Sequence, residues 1–373
     1  MLGTLPPQKA LSPYCLSLVT ALHHKIGIVF HNFSSLYPVW LHPTREVQAD
    51  HSISVTESSS LKICNDLTWY NPISWIQAGF KNNTDLFHAQ WWSVPPAPAL
   101  LIMCLFAKIR RIPVVVTAHN ITPHERSTLF KWLSRLVFGL AEHLVVHTLH
   151  NKRTMMEKYG IPSKKIAVIP HGPLTVFTRG KDDLRKQYRI HKNEHVLLFF
   201  GAIRPYKGLD ILLEALALVQ NHIRIKLIIA GSLWESWDKY QAIIDKHDLK
   251  PNIIDLTGYV PADMVGSLFD ATDLLVLPYS HFESQSGVGS AAIAFKVPMI
   301  VTQTGGLPDL VKDPACIIPK ADSIILAQRI VDILSNKPLL KKIKNDTFIT
   351  ENEISWEHIA RKTLSLYKRI INQ

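Results

Sequence analysis

The stretch FESQSGVGSAAIAFKVP, residues 282–298, sets one acid, Glu283, before a run of small residues that opens a helix-like apolar segment. A helix N-terminus carries unpaired N–H groups and partial positive charge, so it holds anions. Gly287 and Gly289 allow close backbone approach, and Ser286 precedes them. A carboxylate would repel phosphate, so Glu283 reads as a ligand for the hydroxyls of a sugar whose phosphate lies on the helix. The alternative is a solvated loop acid. A second cluster, GAIRPYKG at 201–208, puts Arg204 and Lys207 in a glycine-flanked loop. Two cations beside exposed amides suit a diphosphate, with about 1.5–3 kcal/mol per charge-assisted bond. The bland alternative is a solvated basic turn. A third cluster, TAHNITPHE at 117–125, places His119 after an apolar strand with Asn120, His124 and Glu125 nearby. His119 reads as a site residue, against the alternative of a satisfied core histidine. These residues lack HExxH spacing, so no metal site is expected.

The elements that must position these clusters are strands and helices in alternation. Residues 26–30, 113–117, 143–147 and 166–169 read as strands in the first half, and 195–200, 225–230, 273–277 and 298–302 in the second. Short apolar runs without alternation fit parallel strands buried on both faces. Leu209 to Val219 has helical period, and 98–107 is too short for a span and reads as a buried or interfacial helix. The polar stretch from His171 to His195 separates two βα series, with His171 and Gly172 read as a hinge. The expectation is α/β, with two doubly wound Rossmann-like domains facing across a cleft. Ligands of such sheets bind beyond the carboxyl ends of the strands. GAIRPYKG, GSLWESW (with Gly231), PYSHFESQSGVG, QTGGLPD and the His119 loop all follow strands. Gly287 to Ala292 also matches GxGxxA, but nine residues separate it from the preceding strand, against a dinucleotide fingerprint. Trp91–Trp92 reads equally as core packing or as a sugar platform.

Composition narrows the class. The chain has 373 residues, 47% hydrophobic, and a formal net charge of +11. Residues 1–180 hold 17 Lys and Arg against 8 Asp and Glu, and residues 181–373 hold 24 against 22. A basic first half suits an anionic membrane surface or anionic substrate. The cations are scattered and lack interleaved aromatics, so nucleic acid is not an expected partner. Four dispersed cysteines form no CxxC and fit a reducing cytosol. The opening MLGTLPPQKALSPY lacks the pattern of a signal peptide.

In this order and spacing the segments resemble the family-4 retaining glycosyltransferases, which have the GT-B fold, over nearly the whole chain. GAIRPYKGLDILLEAL is similar to that family's G-x-x-x-x-x-K-G-x-x-x-L-L-x-A segment. PYSHFESQSGVGSAAIAFKVPMIVTQTGGLPDLV resembles its donor-sugar segment. VIPHGP stands at its strand-to-linker turn, and TAHNITPHE resembles the His loop of polysaccharide-building members. SWEHIARKTLSLYKRII resembles the closing helix that crosses back to the first domain. The implied domains are an acceptor-side domain over 1–175, a nucleotide-sugar domain over 190–354 and the closing helix over 355–373.

The resemblance implies roles residue by residue. Arg204 and Lys207 would neutralise the donor diphosphate, and Gly287 and Val288 would give it backbone N–H groups. Glu283 would bind sugar hydroxyls, and His119 would lie against the transferred sugar. The implied donor side is Gly201, Arg204, Lys207, Gly231, Glu283, Ser286, Gly287 and Val288, with no metal and no cofactor. Three departures stand out. Ala291 occupies the position of a second Glu that generally holds the ribose, Lys296 stands where Gly is usual, and the first strand is nearly missing. The expected activity is retaining transfer from a nucleoside-diphosphate sugar to a glycan or lipid-linked saccharide in cell-surface polysaccharide synthesis. The expected place is the cytoplasm, in peripheral contact with the anionic inner face of the membrane. The rival readings are a non-catalytic nucleotide-sugar-binding or scaffold member and, less favoured, a nucleotide-sugar epimerase.

Overall fold

The structure is a computed structural model, and it describes all residues except 9–10, 37–54, 82, 123–127, 176, 283–284 and 373. The chain divides into two compact units. The first comprises Met1–Gly172 and Ile354–Gln373, joined by Gln285, and the second Pro173–Phe282 and Ser286–Glu353. The segment after Pro173, read from sequence as the junction, packs within the second unit. There Arg185 pairs with Asp273 at 2.5 Å, and the Gly180 N–H donates to Asp270 at 3.0 Å.

The first unit is built on a parallel seven-stranded sheet, β1 (Leu2–Gly3), β2 (Ile28–Ser35), β3 (Leu61–Thr68), β4 (Phe87–Trp91), β5 (Val114–Ala118), β6 (His143–Val146) and β7 (Ile166–Val168). Their order is β3-β2-β1-β4-β5-β6-β7. The short β1 therefore holds a central place between β2 and β4, where the order reverses. Along β5 the side chains alternate between two cores: Val114 and Val116 pack with Trp91 and Leu100, and Val115 packs with Leu18, Phe30 and Leu366. Strand β4 carries His88 and Gln90, both buried, which is why no apolar run marks it. Trp91 and Trp92 are buried, so the pair is core.

Helices α1 (Ser12–Leu22), α2 (Pro72–Lys81), α3 (Ala97–Ile109), α4 (Thr128–Leu140) and α5 (Leu149–Tyr159) follow strands of this sheet. The segment 98–107, read as a buried or interfacial helix, lies within α3. None of the described helices is long and apolar enough to cross a membrane.

The second unit has a six-stranded parallel sheet, β8 (His195–Phe200), β9 (Ile225–Gly231), β10 (Ile253–Thr257), β11 (Leu274–Leu277), β12 (Met299–Thr302) and β13 (Ile317–Ile318). The order β10-β9-β8-β11-β12-β13 reverses between β8 and β11. Around it run α6 (Leu184–Gln187), α7 (Leu209–Val219), α8 (Asp238–Lys246), α9 (Ala262–Ala271), α10 (Gly287–Phe295), α11 (Ser323–Ser335) and α12 (Lys337–Glu353). The last helix, α13 (Trp356–Ile371), belongs to the first unit and buries Ile359, Leu366 and Ile370 among side chains of α1 and β2.

Helix α10 ends on Lys296, in the left-handed region at φ 59° and ψ 32°, with its N–H donating to Ala292 and Ile293 carbonyls. A non-glycine residue there is strained by roughly 1–2 kcal/mol. Its ammonium lies 3.5 Å from Glu351 and 4.8 Å from the Phe348 ring centre, both on α12, which offsets part of the strain. Lys296→Gly should therefore leave stability level or raise it by up to ~1 kcal/mol, because relief of strain exceeds a half-exposed ion pair. Lys296→Ala keeps the strain, loses both contacts and should destabilise by about 1 kcal/mol. Urea denaturation of the two variants checks the opposite signs.

Candidate active site

In an open parallel sheet the crevice lies where the strand order reverses, beyond the carboxyl ends. In the second unit these ends belong to β8 and β11. After β8 the chain turns at Gly201, at φ 97°, and runs into the short turn Pro205–Lys207. Gly208, at φ 69°, starts α7, and a Cβ there would meet the Pro278 carbonyl oxygen at 2.2 Å. The loop after β8 is thus pressed backbone to backbone against the loop after β11. Ser280 adds a backbone bond to the Tyr206 carbonyl at 2.8 Å. On the other side, Gly231 ends β9 at φ 136°, and a Cβ there would meet the Gly201 carbonyl oxygen at 2.2 Å.

This packing brings Lys207, Gly201 and Val288 together. A Cβ at Gly201 would lie 3.0 Å from the Lys207 ammonium and 3.2 Å from a Val288 methyl. Lys207 is 7% exposed and, among the described residues, has no carboxylate partner. Its nitrogen lies 5.6 Å from the centre of the Tyr279 ring. Burial, and then the positive charge of Arg204, push its pKa down to about 7. Arg204 stacks its guanidinium on the Trp234 indole, 3.8 Å from the ring centre. Trp234 is held by a backbone bond to the Ile203 carbonyl at 3.0 Å.

Helix α10 begins at the same place. Ser286 caps it, its hydroxyl accepting from the Gly289 N–H at 3.2 Å. Gly287 and Val288 open the helix, and their N–H groups have no acceptor within it. Two cations and an uncapped pair of amides can neutralise and bind an anion of two or more charges.

The first unit gathers a different group. His119, His147 and His171 follow β5, β6 and β7, three neighbouring strands, and all three are buried. His119 Nε2 lies 2.9 Å from Gln90 Oε1, and His119 Nδ1 lies 3.2 Å from His147 Nε2. His147 Nδ1 lies 3.0 Å from the Ile169 carbonyl, and His171 Nδ1 lies 2.7 Å from that of Gly172. The Tyr14 ring packs against all three, 4.6, 5.4 and 4.8 Å between ring centres. Burial holds His119 well below the ordinary imidazole value and pushes His147 down to about 4 and His171 to about 3. Each ring is neutral at pH 7. Trp356, at the start of α13, closes the group, 5.4 Å from Tyr14.

The second unit therefore assembles Gly201, Arg204, Lys207, Gly231, Ser286, Gly287 and Val288. His119 belongs to the first unit, and Glu283, His124 and Glu125 lie outside the described residues. His171, read as a hinge, is a buried member of the histidine group. Sequence reading passed over Trp234, Tyr279, Gln90, Tyr14 and His147. The signal for His147 was its position one residue past a strand, the same place as His119. His31, Cys64 and Asp66 also lie within metal-ligand reach of one another, on β2 and β3. There His31 Nδ1 already faces the Asp66 carboxylate at 3.2 Å.

Comparison with known proteins agrees with this architecture. Residues 180–349 match the family described as Glycosyl transferases group 1, and residues 65–172 match Glycosyltransferase Family 4. The chain belongs to the family-4 glycosyltransferases. It is 26% identical over 231 residues to the uncharacterized glycosyltransferase MJ1607 of Methanocaldococcus jannaschii, covering 58% of this chain and 57% of that protein. With a D-inositol 3-phosphate glycosyltransferase of Gordonia bronchialis it shares 25% over 310 residues, covering 76% of this chain and 66% of that one. The matches thus span between half and two thirds of these relatives.

In fold the chain resembles Anabaena Alr3699/HepE in complex with UDP and glucose, at TM-score 0.73 and 17% identity, covering 99% of this chain and 98% of that chain. It resembles likewise the sucrose-phosphate synthase of Thermosynechococcus elongatus, at TM-score 0.74 and 16% identity, covering 99% and 96%. These neighbours have the GT-B fold.

The Lys207 pKa makes a measurable link. An anion that binds the ammonium form must raise that pKa, so binding takes up a proton near pH 7–8. The share of pyrophosphate affinity that depends on Lys207, read as the difference from Lys207→Met at each pH, should be steady well below pH 7 and fall by up to about tenfold per unit above it. Lys207→Met should weaken binding and flatten this dependence. Calorimetry in buffers of different ionisation enthalpy reads both the affinity and the proton count.

Proposed function

We propose that this protein is a retaining glycosyltransferase. It moves a sugar from a nucleoside-diphosphate sugar to a glycan or lipid-linked saccharide, in the synthesis of a cell-surface polysaccharide. The observation that carries the reading is Lys207, buried and without a carboxylate partner among the described residues, beside Arg204 and the first-turn amides of α10. A pair of cations and helix amides of this kind, at the reversal point of a parallel sheet, fits the diphosphate of a sugar nucleotide.

In the proposed reaction the bond between the anomeric carbon and the diphosphate oxygen breaks as the acceptor oxygen bonds to that carbon on the same face. The acceptor proton passes to the leaving phosphate. Arg204, Lys207 and the N–H groups of Gly287 and Val288 take up the charge that develops on the leaving group, with no metal required. Glu283 holds sugar hydroxyls and His119 lines the sugar side. The UDP and glucose bound by the Anabaena neighbour make UDP-hexoses the first donors to try.

The decisive assay is nucleoside-diphosphate release from UDP-, GDP-, ADP- and dTDP-sugars, with and without a lipid-linked acceptor extract. Acceptor-dependent release from one donor, lost by about a hundredfold or more in Lys207→Ala, is expected. NMR of the anomeric proton in the product reads retention. Ala291, in place of the usual ribose-binding carboxylate, favours the second reading of a non-catalytic nucleotide-sugar-binding or scaffold member. Silence across the panel with intact nucleotide binding would establish that reading.

The proposed place of action is the cytoplasmic face of an anionic membrane. Three consecutive helices of the first unit leave apolar side chains in solvent. These are Ile73 and Phe80 on α2, Leu105 and Ile109 on α3, and Leu129 and Trp132 on α4, each at least half exposed. Exposed Lys81, Arg111 and Lys131 lie among them in the chain. Such a mixture suits an interface of acidic headgroups and acyl chains, at roughly 1 kcal/mol per basic side chain. Flotation with phosphatidylglycerol vesicles should recover the protein, and pure phosphatidylcholine should not. Trp132→Ala with Phe80→Ala should lower partitioning by about tenfold or more. Equal recovery with both lipids would remove the membrane from the reading.

A further inference from the structure

The histidine group fixes its own protons. A backbone carbonyl only accepts, so the Ile169 oxygen, 3.0 Å from His147 Nδ1, places a proton on that nitrogen. His147 is buried and neutral, so its Nε2 carries a lone pair. Facing that lone pair at 3.2 Å, His119 Nδ1 must hold a proton. His119 is neutral in turn, which leaves its Nε2 bare. At 2.9 Å from it stands the Gln90 side-chain amide, with its oxygen toward the ring and its nitrogen without any partner. Two lone pairs cannot face each other at that distance. The amide oxygen and nitrogen are interchangeable in shape, and exchanging them gives the orphaned N–H group His119 Nε2 as its acceptor. One carbonyl, that of Ile169, thus orders three side chains along one line, His147, His119 and Gln90.

We propose that His147 is a positioning residue that holds His119 in its Nδ1–H form, with Nε2 presented as a hydrogen-bond acceptor. An isolated neutral imidazole prefers the proton on Nε2, so the structure reverses the ordinary choice. Held this way, His119 neither gives nor carries a proton at Nε2. It receives an N–H or O–H group, from Gln90 or, with a donor bound, from a sugar hydroxyl. The inference rests on the reading of His119 as lining the sugar side. The proton order itself stands on the geometry of the first unit alone.

The test is long-range proton–nitrogen NMR of the full-length protein with 15N-labelled histidine, without substrate. The expected spectrum shows His119 protonated at Nδ1 and bare at Nε2. His147→Leu removes both donor and acceptor, and the His119 proton should move to Nε2. His147→Gln retains one donor and one acceptor and should keep the native form. Turnover should follow the proton, with kcat reduced about tenfold in His147→Leu and restored to within about threefold by His147→Gln. A wild-type His119 protonated at Nε2, or one unchanged in His147→Leu, would overturn the proposal. Should His147→Leu fail to fold, the wild-type spectrum still decides the assignment. An inactive protein with the expected spectrum would count against the transferase reading and leave the proton order standing.

Discussion

The second unit is organised around a charge it does not balance. Lys207 is almost fully removed from water, and no described carboxylate compensates it. A lysine whose pKa falls from near 10.5 to about 7 burdens the folded state at neutral pH by several kcal/mol. Between those two values the unfolded chain binds more protons than the folded one, so this contribution to stability improves as pH rises from about 7 to about 10.5. A surface turn would relieve the burden by letting the side chain swing out. Here Gly208 is locked under Pro278 and the Tyr206 carbonyl is bound by Ser280, so the turn has no such freedom. The relief that remains is an anion, and the free amides of α10 converge on the same place.

That arrangement is possible only because side chains are missing at chosen positions. Gly231 passes so near the Gly201 carbonyl that any Cβ would overlap it, and both residues adopt positive φ. Strands β8 and β9 can then release their loops side by side, which sets Arg204 against Trp234. The cation–π contact holds the guanidinium flat with no carboxylate among the described residues to cancel its charge. Among the described residues both cations are thus positioned by aromatic and backbone groups rather than by ion pairs.

The half of the candidate site built on Arg204, Lys207 and α10 was legible in sequence because its chemistry is local. Strand, glycine, cation and helix follow within about ten residues, and β8, α7 and α10 emerge close to where their apolar runs place them. Strands β3 and β4 were missed because β3 is a polar edge strand and β4 buries His88 and Gln90 among its apolar residues. Period and apolarity are the only signals a strand gives, and buried polar side chains erase both. The pairing of His147 with His119 is hidden in sequence for another reason. The partners of His147 lie on neighbouring strands of a parallel sheet, 28 residues away at His119 and 22 at Ile169. Only strand order makes them neighbours, and nothing in a single sequence encodes that order directly.

Ala291 shows what α10 gives up to serve the fold. It is 1% exposed, and Ser290, Ala292 and Ile293 around it are buried as well. The body of the helix is therefore core, and the helix can offer a ligand only its first turn, from the Ser286 cap to Val288. A carboxylate at position 291 would introduce a charge among these buried side chains. Leu310 already crowds Gly289 so closely that an added Cβ would overlap it. In the proposed function, with alanine at 291, recognition by α10 contracts onto the charged bridge between nucleoside and sugar. A site that grips the diphosphate firmly and the ribose little would discriminate among nucleotides through groups off this helix. Trp234, stacked on Arg204, and Tyr279, facing Lys207, are aromatic side chains already placed against the two cations.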